Sequence, residues 1–159
     1  MRATLKTNRG DIALALDAEH APCTVNSFAF LAKKNYFDKT ACHRLSVATG
    51  LKMLQCGDPT GTGSGGPGYQ FADENTEGAT YPKGTVAMAN AGPGTNGSQF
   101  FLVFGDSRLP PDYTVFGNIT HGIDLLEKVG KGGDDGSSPA GGGKPKMKVE
   151  IEDTTLADR

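Results

Sequence analysis

The sequence predicts a mainly β domain, built as a closed or nearly closed β barrel of about eight short strands with two helices over its ends. Most of the chain falls into short segments with period-2 alternation or brief apolar runs, as in strands. Only two segments have the three- and four-residue spacing of a helix. Glycine occurs 23 times in 159 residues, about twice the usual ~7%, which indicates many turns. Periodicity alone leaves a β-sandwich open as the alternative.

The N-terminus predicts a hairpin followed by a helix. Ala3–Thr7 and Asp11–Leu16 alternate in period 2, and Asn8–Gly10 joins them in a tight turn. Pro22 is tolerated in a first helical turn and opens the first helix. The apolar face of that helix consists of Val25, Phe28, Leu31 and Ala32.

The remaining elements follow the same reasoning. Short strands are predicted at Ala41–Leu45, Leu51–Cys56, Thr85–Ala89, Gln99–Phe104 and Tyr113–Ile119. A second helix fits Ile123–Val129, and Gly130 ends it. The last strand is predicted at Met147–Glu152.

Three glycine-rich stretches, Gly57–Gly68, Ala91–Gly97 and Lys131–Lys144, connect these elements. The last is long and polar, and we expect it to be the most mobile part of the chain. No internal repeat and no composition change marks a boundary, so residues 1–159 are interpreted as a single domain.

Charge and composition exclude several classes of function. Sixteen Lys and Arg balance 18 Asp and Glu, with a net charge of -2 and no basic run longer than two residues. We therefore expect no nucleic-acid or anionic-membrane partner. No apolar run is long enough for a membrane span, and the N-terminus lacks the apolar core of a signal peptide. The chain is expected to be a cytoplasmic monomer.

The cysteines support the same compartment. Cys23, Cys42 and Cys56 are odd in number and widely spaced, which is typical of free thiols in a reducing cytoplasm. Buried, inert thiols are the interpretation that we favour for all three.

The short sequence motifs that are typical of cofactor-binding and metal-binding sites do not indicate such a site here. Gly61–Gly66 matches G-x-G-x-x-G, but Pro67 follows it directly, so no helix can begin at the third glycine to receive a dinucleotide. A flexible surface loop is the better interpretation. His20, His43 and His121 lie far apart without metal-ligand spacing. We expect no metal site and no cofactor.

The informative segment is Val86–Phe101, with the sequence VAMANAGPGTNGSQFF. It resembles the signature of the cyclophilins, the cyclosporin-binding class of peptidyl-prolyl cis-trans isomerases. Flanking blocks agree at His43–Leu45, Gln55–Pro59 and Val115–Gly117, so the resemblance covers nearly the whole chain. It implies a closed eight-stranded antiparallel barrel capped by two α-helices, and isomerisation of X-Pro bonds in unfolded or flexible polypeptides. It implies no cofactor.

The resemblance also assigns roles to residues. Arg44 matches the catalytic arginine, and Gln55 the glutamine that orients it and the substrate backbone. The backbone around Ala89 and Asn90, with the Gln99 amide, would hold the substrate carbonyl. Apolar walls for the proline ring would come from Met53, Phe101 and Leu109. From their pattern alone, these three would be interpreted as core residues.

One spacing and three positions depart from the family. Arg44 and Gln55 lie eleven residues apart, about three more than expected, which predicts a longer or bulged loop at Ser46–Gly50. The aromatic wall of the proline pocket falls on Lys52, whose stem could cover the pocket, or else Leu51 is shifted in. The histidine lining the site falls on Tyr113. The tryptophan that grips cyclosporin falls on Arg108, so cyclosporin is expected to bind weakly.

Two functions follow. The leading prediction is a folding-assisting isomerase, which Arg44 and Gln55 favour. The rival is a chaperone or scaffold module that captures proline-containing segments without turnover, and Lys52 in the pocket is the feature that favours it.

Overall fold

In the computed structural model, which describes residues 1–158, nine strands and two helices form one body. The elements are β1 Arg2–Thr7, β2 Gly10–Leu16, α1 Pro22–Lys33, β3 Thr40–Ala41, β4 Arg44–Ala48, β5 Leu51–Cys56, β6 Thr85–Met88, β7 Phe100–Gly105, β8 Val115–His121, α2 Ile123–Gly132 and β9 Glu150–Ala157. The predicted mainly β class and both helices are confirmed, but α2 continues through Gly130, its predicted end, to Gly132.

The strands form a single antiparallel sheet in the order β3-β9-β1-β2-β8-β6-β7-β5-β4. Its two end strands, β3 and β4, are separated in the chain only by Cys42 and His43. The sheet must therefore curl until its ends lie close together, as in the barrel that the sequence predicts. Within residues 1–158, no backbone pairing joins β3 to β4. The ninth strand arises because the predicted strand Ala41–Leu45 is divided into β3 and β4.

The last strand lies further along the chain than predicted. Its pairing with β1 runs from Thr7 opposite Ile151 to Arg2 opposite Ala157. Met147–Glu152 alternates in sequence, but β1 provides hydrogen-bonding partners only for the later residues. Pairing with β1, and not the local sequence pattern, therefore determines where this strand begins and ends.

The main core fills the barrel interior. Phe28 of α1 packs against Phe37, Phe100 and Phe116, with ring centroids 5.1, 5.5 and 5.7 Å apart. The helix begins at Pro22 as predicted, but the residue at the N-cap position, Ala21, forms no side-chain capping hydrogen bond. Instead, the Glu74 carboxylate accepts hydrogen bonds from the backbone N–H of Cys23 and Thr24 at 3.2 and 2.8 Å. A carboxylate at a helix N-terminus is stabilising.

A second, smaller apolar cluster lies on the outer face of the same sheet. Alternate residues of β5, β6 and β7 point away from the barrel interior. They form a cluster with partly buried neighbours at its edge, and its buried members are Met53, Tyr81, Ala87, Phe101 and Val103. This external cluster is the platform for the functional site.

The prediction of three free thiols is wrong for two of them. Cys42 and Cys56 form a disulfide, and both residues are buried. Because β4 pairs with β5 from Arg44 opposite Gln55, the cysteines just beyond that pair come together although 14 positions separate them. Spacing along the chain does not reveal this proximity. Cys23 is free but exposed, so its predicted burial is also wrong.

We expect reduction of this disulfide to lower the free energy of unfolding. In the chain-entropy description, closing a loop of this size stabilises the fold by about 3 kcal/mol. Thermal unfolding of the oxidised protein and of a Cys42→Ala/Cys56→Ala variant measures the effect, and Cys23→Ser is the control that should change little. Thiol titration in denaturant without reductant should find one free thiol per chain. Finding three would contradict the disulfide.

Candidate active site

Three of the predicted site residues lie in one row across the sheet. Arg44 of β4 pairs with Gln55 of β5, and Gln55 pairs with Phe101 of β7. All three are on the outer face, which their alternation with the buried core residues Leu45, Leu54 and Leu102 requires. The eleven-residue separation of Arg44 and Gln55 is therefore the register of a hairpin.

The segment Ser46–Gly50 is not the longer or bulged loop that the sequence predicts. Ser46–Ala48 continue β4, and Leu51 already begins β5, so only Thr49 and Gly50 form the turn. Gly50 has a φ of +90°, which a glycine adopts without a Cβ clash. The additional residues lengthen the hairpin arms and leave Arg44 and Gln55 directly opposite each other.

A cleft of about 870 Å³ opens above this row. Its floor belongs to the external cluster, and its wall includes the glycine-rich loop at Gly61–Ser64. Eight of the ten predicted site residues line it: Arg44, Met53, Gln55, Ala89, Asn90, Phe101, Leu109 and Tyr113. Gln99 lines an adjoining cleft that shares Gln55, Ala89 and Asn90 with the first.

Lys52 is the exception, and its predicted placement needs correction. Its side chain points away from the cleft and lies beside Gly105, along a different surface with Phe104 and Glu127. The reason is the two-residue alternation of β5, which turns Leu51 and Met53 to the cleft and Lys52 to the opposite side. Leu51, the alternative, therefore provides the apolar wall.

The Arg44 guanidinium is held by protein acceptors on two sides. Its Nε and Nη2 donate to the carbonyl oxygens of Gly141 and Ala140 at 2.9 and 3.0 Å. Its Nη1 donates to Gln55 Oε1 at 3.4 Å. Burial lowers the pKa of Arg44 from its usual value while the Tyr113 phenol acts in the opposite direction, and the guanidinium stays cationic at neutral pH.

Gln55 is oriented by a chain of side-chain amides. Gln99 Nε2 donates to the carbonyl oxygens of Gly63 and Gly65 at 2.9 and 3.0 Å. Its Oε1 must then face Gln55, whose Nε2 donates to it at 2.8 Å. Gln55 is left with its oxygen toward Arg44. The glycine-rich loop thus sets the orientation of the Gln99 amide, and through it the end of the Gln55 amide that faces the guanidinium.

Asp58 is the buried anchor of that loop. Its carboxylate accepts hydrogen bonds from the Thr60 N–H and hydroxyl at 2.8 and 2.7 Å, and from the N–H groups of Gly63 and Gly65 at 2.7 and 3.0 Å. Burial by itself would raise the pKa of Asp58, but these hydrogen bonds outweigh it and lower the pKa to about 2. Gly65 is required here because a Cβ would collide with the carboxylate.

We expect Asp58→Asn to lower the free energy of unfolding by about 2 kcal/mol at neutral pH, since the amide turns donors toward N–H groups that need acceptors. The carboxylate pKa of about 2 lies below the ordinary aspartate pKa of 3.8. Its contribution is therefore complete above about pH 4 and is lost as the pH falls toward 2.

Urea unfolding of wild type and Asp58→Asn between pH 7 and pH 2 tests this, with the exposed Asp112→Asn as control. The gap between wild type and Asp58→Asn should close below pH 4. A gap that stays constant to pH 2 would show that Asp58 does not stabilise the loop as a carboxylate.

The backbone N–H and carbonyl of Asn90 are available to bind a peptide, because only its side chain is used in hydrogen bonds in the described part of the chain. Its side chain is fixed at both ends, because Nδ2 donates to the Asp112 carbonyl at 2.9 Å and Oδ1 accepts from the Gly92 N–H at 3.1 Å. Within residues 1–158 its own N–H and carbonyl form no hydrogen bond. An extended peptide could pair with them at this edge. Tyr113 stands edge-on to Phe101 at a centroid distance of 5.7 Å.

Comparison with known proteins agrees with this geometry. The family described as cyclophilin type peptidyl-prolyl cis-trans isomerase/CLD matches residues 2–156. The chain belongs to the cyclophilins. It is 49% identical over 166 residues to probable peptidyl-prolyl cis-trans isomerase B of Mycobacterium tuberculosis, covering 96% of this chain and 53% of that protein. The chain thus spans about half the length of that relative.

Two further relatives match over most of their length. Peptidyl-prolyl cis-trans isomerase A of M. tuberculosis is 42% identical over 174 residues, covering 98% of this chain and 91% of that protein. A cyclophilin type peptidyl-prolyl cis-trans isomerase of Cryptosporidium parvum, crystallised in the presence of the dipeptide Ala-Pro, superposes with a TM-score of 0.85 at 32% identity. That comparison covers 100% of both chains.

This cyclophilin has site residues that sequence reasoning missed. His43 lines the cleft beside Arg44, and burial lowers its pKa, so it is neutral at physiological pH. Its adjacency to Arg44 in the matched block was an available signal. The segment Lys131–Lys144, which the sequence predicts to be the most mobile part of the chain, supplies both carbonyls that hold Arg44. No residue pattern signalled that contact.

No helix in the described part of this cyclophilin combines the length and apolar character of a membrane span. Among residues 1–158, no cluster of His, Cys, Asp and Glu side chains is arranged to hold a metal ion.

Proposed function

We propose that residues 1–159 form a single peptidyl-prolyl cis-trans isomerase domain that accelerates rotation about X-Pro bonds in unfolded or flexible polypeptides. The observation that carries the proposal is the fixed Arg44 guanidinium at the edge of a cleft with an apolar floor. The names of the relatives support it.

The chemistry needs neither a nucleophile nor a metal. Amide resonance opposes rotation by ~18–20 kcal/mol, and uncatalysed X-Pro exchange takes tens to hundreds of seconds. In the twisted state, the prolyl nitrogen loses conjugation and gains a basic lone pair. An N–H of Arg44 donates to that lone pair, and this hydrogen bond is stronger in the twisted state than in either planar isomer. The difference lowers the barrier.

The remaining site residues hold the two ends of the bond. Met53, Phe101 and Leu109 receive the proline ring on their apolar surface, with Leu51 beside them. The free N–H and carbonyl of Asn90 pair with the peptide backbone. One side of the bond is therefore held while the other turns.

The rival function, capture of proline segments without turnover, loses the observation that favoured it. It depended on a lysine in the proline pocket, and Lys52 points to another surface. Because Leu51 lines the cleft in its place, the pocket keeps an apolar wall. We therefore propose the enzyme.

A protease-coupled assay on a short Ala-Pro-Phe peptide tests the proposal. The protease cleaves only the trans isomer, so the slow phase reports isomerisation. We expect the protein to accelerate this phase in proportion to its concentration. Peptide binding without acceleration would instead establish the capture function.

The proposed partners are proline-containing polypeptides. We also propose a monomer without nucleic-acid or membrane partners, which size-exclusion chromatography and nucleic-acid and vesicle binding test directly. The cytoplasmic location stays a prediction from composition, and the Cys42–Cys56 disulfide weighs against it, because disulfides are rare in cytosolic proteins. The redox state of these cysteines in cells decides the compartment.

A further inference from the structure

The loop of residues 134–144, here called the C-terminal loop, lies directly on the guanidinium of Arg44. The carbonyl oxygens of Gly141 and Ala140 accept from Nε at 2.9 Å and from Nη2 at 3.0 Å. These two donors share one edge of the planar guanidinium fork. Two consecutive carbonyls therefore occupy that edge and leave Nη1 and the second Nη2 hydrogen for Gln55 and the cleft.

The C-terminal loop is fixed to the strand that carries Arg44. Leu45 and Gly143 exchange two backbone hydrogen bonds, from Leu45 N at 2.7 Å and from Gly143 N at 3.1 Å. Gly142 packs so closely on this strand that a Cβ at its position would collide with the Leu45 carbonyl oxygen. The contact between the loop and β4 therefore joins Leu45, the residue after Arg44, to Gly142 and Gly143, the residues after Gly141.

Within the loop, hydrogen bonds keep the two carbonyls in place. Asp135 Oδ1 accepts from the Ser137 and Lys144 N–H groups at 3.0 and 2.9 Å. The Ser138 N–H donates to the Gly142 carbonyl at 3.1 Å. The loop is a closed turn that meets the sheet at Gly143, which pairs with Leu45, and at Gly142, which packs on the same strand.

We propose that Gly142 is a positioning residue for Arg44: its close packing on β4 sets the Ala140 and Gly141 carbonyls that orient the guanidinium toward the cleft. The inference rests on the proposed isomerase function for its effect on rate. It also predicts a structural effect on Arg44 that does not depend on any activity.

The chain offers a matched control in the same loop. Gly136 has a φ of +69° and Gly142 a φ of +70°, so alanine is strained equally at both. A Cβ at Gly136 meets nothing within 4 Å, whereas a Cβ at Gly142 meets the Leu45 carbonyl. Comparing Gly142→Ala with Gly136→Ala therefore isolates the displacement of the loop from the backbone strain.

We expect Gly142→Ala to lower kcat about tenfold, as a displaced catalytic group does, with KM within twofold of wild type. Gly136→Ala should keep both constants within twofold. In an Arg44→Ala background, Gly142→Ala should have no further effect, because the residue that it positions is gone. Equal effects of the two glycine variants, or an undiminished effect in the Arg44→Ala background, would overturn the proposal.

A second readout is the ¹⁵N Nε–H resonance of Arg44. In the wild type it should exchange slowly with water and lose this protection in Gly142→Ala but not in Gly136→Ala. If wild type does not isomerise peptides, the proposed function fails while this resonance still tests the positioning. Unchanged protection in Gly142→Ala overturns the positioning alone.

Should Gly142→Ala fail to fold, Asp135→Asn is the second variant. It turns a donor toward the Ser137 and Lys144 N–H groups and loosens the loop without touching β4. We expect about a threefold lower kcat and reduced Nε–H protection. The effect on kcat should be absent in the Arg44→Ala background. Wild-type values for both would overturn the proposal.

Discussion

Replacing Arg44 with alanine is expected to lower kcat/KM by roughly 10²–10³, or about 2.7–4 kcal/mol, the effect of losing one preorganised hydrogen-bond donor. The size of the effect follows from preorganisation. The guanidinium is already held by Gly141, Ala140 and Gln55, so little reorientation is needed when the prolyl nitrogen becomes basic. The protease-coupled assay measures the loss.

Arg44→Lys is the matched variant that separates charge from geometry. An ammonium keeps the charge but cannot donate along a planar fork to two carbonyls and a glutamine at once. We expect it to restore little of the lost activity. If the alanine variant retained more than half of the wild-type kcat/KM, Arg44 would have no role in the mechanism.

The fold was predictable where local pattern and tertiary pairing agree. The β1–β2 hairpin and the start of α1 at Pro22 follow from alternation and from proline in a first helical turn. The last strand was displaced because only β1 determines which residues pair. The split of Ala41–Leu45 into two strands depends on closure of the sheet, which no local pattern contains.

Most of the candidate site was predictable from the matched motif, but its side-chain directions were not. Strand alternation decides between Lys52 and Leu51, and alternation needs the register of β5 against β4 and β7. The Cys42–Cys56 disulfide depends on the same register. The C-terminal loop was missed for a different reason: it contributes backbone carbonyls, and every residue type has one.

The external position of the site explains why its apolar residues read as core. Met53 and Phe101 are buried in a cluster of their own, on the face of the sheet opposite the barrel interior. The same side chains thus support the sheet and form the floor of the cleft. The two interpretations of these residues from sequence are compatible, since the floor of an apolar cleft is itself a small core.

Cyclosporin should bind this protein weakly, and position 108 should be the cause. In the family, the drug is gripped in part by an indole N–H and its ring, and this chain has no tryptophan. Arg108 is exposed beside a cavity that shares Leu51 and Leu109 with the cleft. Ordering its side chain costs up to about 2 kcal/mol, and losing an aromatic anchor costs about 2 kcal/mol or more.

Together these terms weaken binding by on the order of 10²-fold or more. Arg108→Trp should regain most of that affinity, whereas Lys128→Trp, which adds an indole on α2 away from the cleft, should regain none. Catalysis on short peptides should stay within about twofold in both variants, because the reacting bond meets Arg44 and Phe101 and not position 108. The test is to measure the cyclosporin inhibition constant and kcat/KM for the wild type and both variants. Nanomolar inhibition of the wild type, or no gain in Arg108→Trp, would show that drug sensitivity is set elsewhere in the cleft.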